Sequence, residues 1–205
     1  MAAESVQRRS GAQTRVRILD AAAGVMRERG IGRTTTKEIA RAVGLSEAAL
    51  YKHFPDKTEL LMCVLRERNP QFIEYVAQLP GKVGADPVAQ TLTELARHAV
   101  RFYVAGMPMI AALYAEPDLL ARQRAELRAA GLGPHLANRG VADYLAAEQR
   151  LGRIAAGTDP YAAASLLVGA CFQHAFLSTF MGPDLVPEPD TFAADLVRNL
   201  LHQVG

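Results

Sequence analysis

The run from residue 35 to residue 60 constrains this chain most: Thr-Thr-Lys-Glu-Ile-Ala-Arg-Ala-Val-Gly-Leu-Ser-Glu-Ala-Ala-Leu-Tyr-Lys-His-Phe-Pro-Asp-Lys-Thr-Glu-Leu. Thr35 with Glu38 in the third position after it has the pattern of a capping box, in which a hydroxyl and a carboxylate satisfy amide groups at a helix start. A helix is therefore predicted from about Thr36, with Ile39, Ala40 and Val43 as its apolar stripe. Gly44 stands where a helix ends in the left-handed conformation that glycine reaches without a Cβ penalty. After a short turn, Ser46 caps a second helix that runs through Phe54 until Pro55 stops it. Asp56 with Glu59 repeats the capping pattern, so a third helix starts at Lys57. Two short helices joined by a tight turn form a helix-turn-helix, and duplex DNA is the first partner to consider.

On the second of these helices Leu45, Ala49 or Leu50, and Phe54 face inward. Glu47, Ala48 and Lys52 face outward, with Tyr51 and His53 at the edge and the cap Ser46 beside them. Base reading falls to Glu47, Ala48 and Lys52, with Thr36 and Lys37 nearby. Ala48 suits a thymine methyl, and Glu47 can accept from a cytosine amino group. A second reading of Glu47 stays open, that of a first-turn acid that favours the helix dipole. Charge agrees with the motif. Residues 1–60 hold 11 Lys and Arg against 7 Asp and Glu, whereas residues 61–205 hold 12 against 14. The positive excess thus lies where phosphate neutralisation would supply affinity.

The segment resembles the TetR family of bacterial transcription regulators through Thr34 and Thr35, Ile39 and Ala40, Gly44, and the close formed by Leu50, Tyr51, His53, Phe54 and Lys57. The likeness covers about residues 13–61; beyond them it extends only to length and helical layout. Glu47 and Ala48 depart from the commonest family pattern, so the resemblance carries no operator sequence. It implies that Tyr51, His53, Lys57 and the region of Thr35 touch phosphates, chemistry that a phenol, an imidazole and an ammonium can supply. It also implies a homodimer on a pseudo-palindromic operator, acting as a repressor released by a small-molecule effector.

Half of the 205 residues are hydrophobic, and Ala, Leu, Arg and Glu abound. The fold class is therefore all-α, with an N-terminal three-helix DNA-binding domain over residues 1–60, its first 12 residues a flexible arm, followed by a helical domain over 61–205 that the resemblance makes the ligand-binding and dimerisation domain. The first helix is expected over about Thr14 to Arg29, ended by Gly30, with Ile18, Ala22, Val25 and Met26 on one face. The next carries Leu60, Leu61, Val64 and Leu65 inward, with a kink or break at Asn69-Pro70. Proline punctuation then predicts helices near 70–79, 87–105, 108–115, 117–130, 134–151, 160–181 and 189–203.

The large or adaptable side chains beyond residue 80 include Phe102, Tyr103, Met107, Met109, Leu113, Phe172, His174 and Phe176. On residue type alone they read as plain core; through the resemblance they also become the lining of a ligand pocket. His174 is either a hydrogen-bonded structural histidine or a ligand contact. The resemblance places the dimer surface on the helices near 134–151 and 160–181, with Val141, Leu145, Leu151, Ala162 to Ala164, Leu166, Val168 and Ala170 as its packing face.

Cys63 and Cys171 are too few and too far apart for a disulfide framework or a zinc site, and suit a reduced cytoplasmic interior. The chain carries no Gly-x-Ser-x-Gly, His-Glu-x-x-His, P-loop or Gly-x-Gly-x-x-Gly. No catalytic residue, metal or cofactor is expected, and no enzyme. The first ten residues lack an apolar signal core, and Tyr161 to Phe180, interrupted by Ser165, Gln173, His174 and Ser178, reads as a buried helix and not a membrane span. An architectural or nucleoid-associated DNA binder of the same fold, with no inducer, is the alternative function. A dry, filled second domain would favour it.

Overall fold

The structure, a computed structural model, describes residues 2–29, 33–68 and 71–204; the chain is 81% helix, and no strand occurs among the described residues. It divides into two compact units, residues 1–70 and 71–205. The expected boundary at residue 60 falls inside a helix of the first unit.

In the first unit α1 spans Ala2–Arg29, α2 Thr36–Ala42, α3 Glu47–Tyr51 and α4 Lys57–Arg68. Residues 2–12, expected as a flexible arm, continue α1, since only Gly11 interrupts a run of helix-compatible residues. Ile18, Leu19 and Ala22 of α1, Ile39 and Ala40 of α2, Leu50 of α3, Phe54, and Leu60, Cys63 and Val64 of α4 form one core. Arg15 fastens α1 to α4: its guanidinium pairs with Glu67 at 2.7 Å and lies over the Phe54 ring. Arg17 donates to the Val43 carbonyl at 2.8 Å and so holds the end of α2. The expected helix end at Gly30, the break at Asn69-Pro70 and the Leu65 side chain lie outside the described residues.

The second unit contains α5 (Gln71–Gln78), a 3₁₀ turn (Leu79–Lys82), α6 (Val88–Ala115), α7 (Pro117–Ala129), α8 (His135–Arg150), α9 (Pro160–Met181), a second 3₁₀ turn (Pro183–Leu185) and α10 (Pro189–Val204). The proline starts at 117, 160 and 189 hold, as the fixed φ of that residue allows. Pro108 does not: the two helices expected on either side of it are one, α6. Proline there forfeits one backbone bond, and the burial of Met107, Met109 and Leu113 around it outweighs that loss.

Helix α6 packs on α9 and α10, and α8 on α9, around Leu92, Leu95, Ala99, Val141, Leu145, Leu167 and Cys171. Glu148 of α8 is fully buried and accepts from the Gly84 amide at 3.0 Å, while Arg153 reaches Glu148 at 3.3 Å and also donates to the Asp86 carbonyl. One buried carboxylate thus pins the loop before α6 to the end of α8. Helix α9 is long and apolar enough to cross a bilayer, yet Ala163, Ala164, Leu167, Val168 and Cys171 lie in this core and His174 and Ala175 are buried as well.

Candidate nucleic-acid interface

Backbone caps set the site's geometry. Thr35 is the N-cap of α2: its Oγ accepts from the Glu38 amide at 3.2 Å and donates to the Glu38 carboxylate at 2.9 Å, and the Thr35 amide donates back to Glu38, completing the capping box. That hydroxyl bond, ahead of the ion pair with Arg29, holds the Glu38 carboxyl below the usual carboxylate range. Gly44 takes φ 71°, the left-handed turn the sequence predicts. Ser46 caps α3 through the Ala49 amide at 3.2 Å, and Asp56 caps α4 through the Glu59 amide at 2.8 Å. Helix α3 is shorter than expected, ending at Tyr51, with Lys52 and His53 in a turn before the buried Phe54.

The sequence-derived residues fall into two groups. Lys37, Ser46, Glu47, Ala48, Tyr51 and Lys52 are exposed around α2 and α3, and His53 and Lys57 are half-buried at the join to α4. Thr35 is exposed but engaged in its cap. Thr36 is buried at 7% exposure, and its hydroxyl turns onto the neighbouring helix: it donates to Glu47 at 2.6 Å and lies 3.3 Å from the Tyr51 hydroxyl. Glu47 and Tyr51 were legible as surface positions from helix periodicity. Their tie to Thr36 was not, because nothing in the spacing of residues 36, 47 and 51 announces a contact across the turn. Arg33 and Arg41, both exposed beside the motif, are further cations that the sequence reading passed over.

The candidate ligand residues are not gathered into one lining. Met107, Met109 and Leu113 are buried, and Phe102 and Tyr103 pack partly buried against the core with Phe72. Phe172 and Phe176 are instead 39% and 44% exposed, Phe172 with its edge against Tyr103 and Phe176 stacked on Phe180. They sit on the outward face of α9, which periodicity alone could not tell from the inward one in so uniformly apolar a helix. His174 is buried, its Nε2 2.8 Å from the Pro187 carbonyl and its ring 4.3 Å from that of Phe192. A carbonyl only accepts, so Nε2 carries the proton, and the histidine ties α9 to the segment before α10. An open groove of about 390 Å³ lies elsewhere, between Ala89 and Thr93 of α6 and Val197, Arg198 and Leu201 of α10.

The expected packing face divides in the same way. Val141 and Leu145, with Ala163, Ala164 and Val168, belong to this chain's own core, whereas Leu151, Ala162 and Leu166 are exposed. Both groups lie on α8, α9 or their flank; only the exposed one is available to a partner.

A family profile described as "Bacterial regulatory proteins, tetR family" matches residues 18–62, the span just built from its caps and core. Over 92 residues, 43% of this chain, the sequence is 36% identical to the HTH-type transcriptional regulator AcrR of Shigella flexneri, and over 74 residues it is 31% identical to the nucleoid occlusion factor SlmA of Glaesserella parasuis. These matches span 40% and 37% of the relatives' own length. A solved TetR-family transcriptional regulator from Mesorhizobium loti shares the fold over 95% of this chain and 98% of its own, with a TM-score of 0.70 at 23% identity. Residues 18–62 thus match the helix-turn-helix profile of the TetR family of bacterial regulatory proteins, and the chain shares its fold with a solved TetR-family regulator.

Proposed function

We propose that the protein is a homodimeric repressor that leaves a pseudo-palindromic operator when a small, mainly apolar molecule binds its second unit. The observation that carries the DNA reading is the exposed set Lys37, Glu47, Ala48, Tyr51 and Lys52 around α2 and α3, with Lys57 at the start of α4. In this reading Thr35, Tyr51, His53 and Lys57 address phosphates, and Glu47, Ala48 and Lys52 address base edges. Lys57→Ala should weaken binding to every duplex and reduce the salt slope by about one, with the preferred sequence unchanged. A changed sequence preference with the salt slope intact would remove Lys57 from the phosphate set.

The dimer is supported by the outward face of α9, where Leu166 is 66% and Phe180 74% exposed, with Phe172, Phe176, Leu177 and Met181 alongside. So long an apolar stripe is unusual on a monomer. Covering it by two-fold symmetry would set two α3 helices in successive major grooves, about 34–36 Å apart. Leu166→Glu should give a folded monomer in sedimentation. A well-folded monomeric parent at micromolar concentration would refute the dimer.

The inducer reading rests on Phe102, Tyr103, Met107, Met109, Leu113 and His174, an adaptable apolar set with two polar handles. A panel of apolar compounds should contain one that raises the melting temperature and weakens operator binding, with about 1–3 kcal/mol of coupling. The alternative, an architectural DNA binder without an inducer, is favoured by the outward Phe172 and Phe176 and by the likeness to a nucleoid occlusion factor. It prevails if the panel shifts neither quantity.

A further inference from the structure

Thr36 stands on α2 and Glu47 on α3, yet their side chains meet at 2.6 Å, the length of an O–H donor on a carboxylate. Thr36 has one hydroxyl proton, and it goes to Glu47. In the free protein the Tyr51 hydroxyl 3.3 Å away is therefore placed as the donor to Thr36, giving a chain from phenol to hydroxyl to carboxylate; a phosphate that takes the Tyr51 proton leaves the bond from Thr36 to Glu47 in place. The cap that starts α2 fixes Thr36 from behind, and burial keeps water from competing for its hydroxyl. Glu47 itself is exposed. A glutamate on a surface helix ordinarily samples several rotamers, and holding one oxygen removes that freedom before any partner arrives.

We propose that Thr36 is a positioning residue for sequence reading: it clamps one oxygen of Glu47 so that the other is presented to a cytosine amino group in the major groove. This rests on the DNA-binding reading above. A carboxylate has no proton and can only accept, so it is repelled by the acceptor edges of guanine (O6, N7) and by thymine O4. Adenine offers an amino group but places N7, another acceptor, beside it. Adenine's amino group is thus flanked by acceptors on both sides, its own N7 and the paired thymine O4, whereas cytosine's has one on a single side, the paired guanine O6; a carboxylate held in one rotamer discriminates on that difference. Phosphate approach would not use this arrangement, since Glu47 repels it.

The test is selection of duplexes from a random pool by the full-length protein, its Glu47→Gln, Thr36→Val and Thr36→Ser variants, with melting temperatures and salt slopes recorded for each. The parent should favour cytosine at one position of each half-site by roughly tenfold. Glu47→Gln should move that preference to adenine, whose N6 and N7 an amide can address together. Thr36→Val keeps the shape and loses the hydroxyl; it should cut the cytosine preference to about threefold or less, at that position only, with the salt slope unchanged. Thr36→Ser should restore it. A parent with a defined site that Glu47→Gln leaves unaltered would overturn the reading role. Thr36→Val lowering affinity evenly across all sequences, or Thr36→Ser failing to rescue a folded protein, would reduce Thr36 to a structural part. A parent with no sequence preference at any salt would overturn both this inference and the proposed function.

Discussion

The two units differ in how far along the chain their structural polar contacts reach. In the first, polar side chains bond to backbone a few residues away: Thr35 to Glu38, Ser46 to Ala49, Asp56 to Glu59. In the second, the polar group that matters most is Glu148, which joins Gly84, 64 residues earlier in the chain, to Arg153 inside a core of aliphatic and aromatic side chains. The helix starts of the first unit are therefore local decisions, each worth little alone, while Arg15 and Arg17 tie α1 to α4 and to the end of α2. Failure of the second at one point should propagate through the contacts of α6, α8, α9 and α10.

Alkali should separate the units most. Burial pushes the phenols of Tyr103 and Tyr144 and the thiol of Cys171 up to about 12, and raises Tyr75 as well. Each group is held protonated in the folded state, above the ordinary values of 10.0 for tyrosine and 9.0 for cysteine. Their contribution is therefore complete below about pH 9 and is lost as the pH rises from there to about 12. Tyrosinate absorbance and helicity followed together should show the second unit opening in that window. Titration of all the phenols before any helix is lost would break the contrast.

Leu145→Ala comes next, at about 2–5 kcal/mol, because Leu145 is only 1% exposed in the second core. Calorimetry should show that loss, whereas Leu166→Ala, on the open face of α9, should leave the unfolding of the isolated subunit within about 0.5 kcal/mol. Equal costs at both positions would mean that the face of α9 is already covered within the chain.

Glu148→Ala should cost about 1–3 kcal/mol by leaving the Gly84 amide without its acceptor and Arg153 with the Asp86 carbonyl but no carboxylate. Hydrogen exchange should then rise in residues 79–87 and at the end of α8, with none in α2 or α3. Thr35→Ala and Ser46→Ala close the series at about 1 kcal/mol each, read as faster exchange confined to the first turns of α2 and α3. A similar cost from either cap in the second unit would erase the distinction between local and distributed support.

This contrast also decides what could be read in advance. The three caps, the turn at Gly44 and the stops at proline are short-range chemistry, and the starts of α2, α3 and α4 follow from them. Pro108 shows the limit of punctuation: a local penalty of about 3 kcal/mol was overcome by core contacts that sequence order does not display. The two faces of α9 show another limit. With Ala, Leu, Phe and Cys on every side, residue type could not separate Leu167, in the core, from Leu166, outside it. In the candidate interface, helix periodicity placed Glu47 and Tyr51 on the surface, but the hydroxyl that ties them together comes from the neighbouring helix.

That last feature bears on transplantation. Grafting only residues 46–53 into another helix-turn-helix scaffold would carry Glu47 away from the hydroxyl that holds it. The borrowed helix would dock with its acid free to rotate, and would tolerate bases that the donor protein rejects. On the proposed reading role of Glu47, the smallest portable unit of recognition is the pair α2 and α3 with Thr35, Thr36 and the turn at Gly44 between them. Exchanges of reading helices among scaffolds should therefore keep the donor's threonine wherever they keep its glutamate.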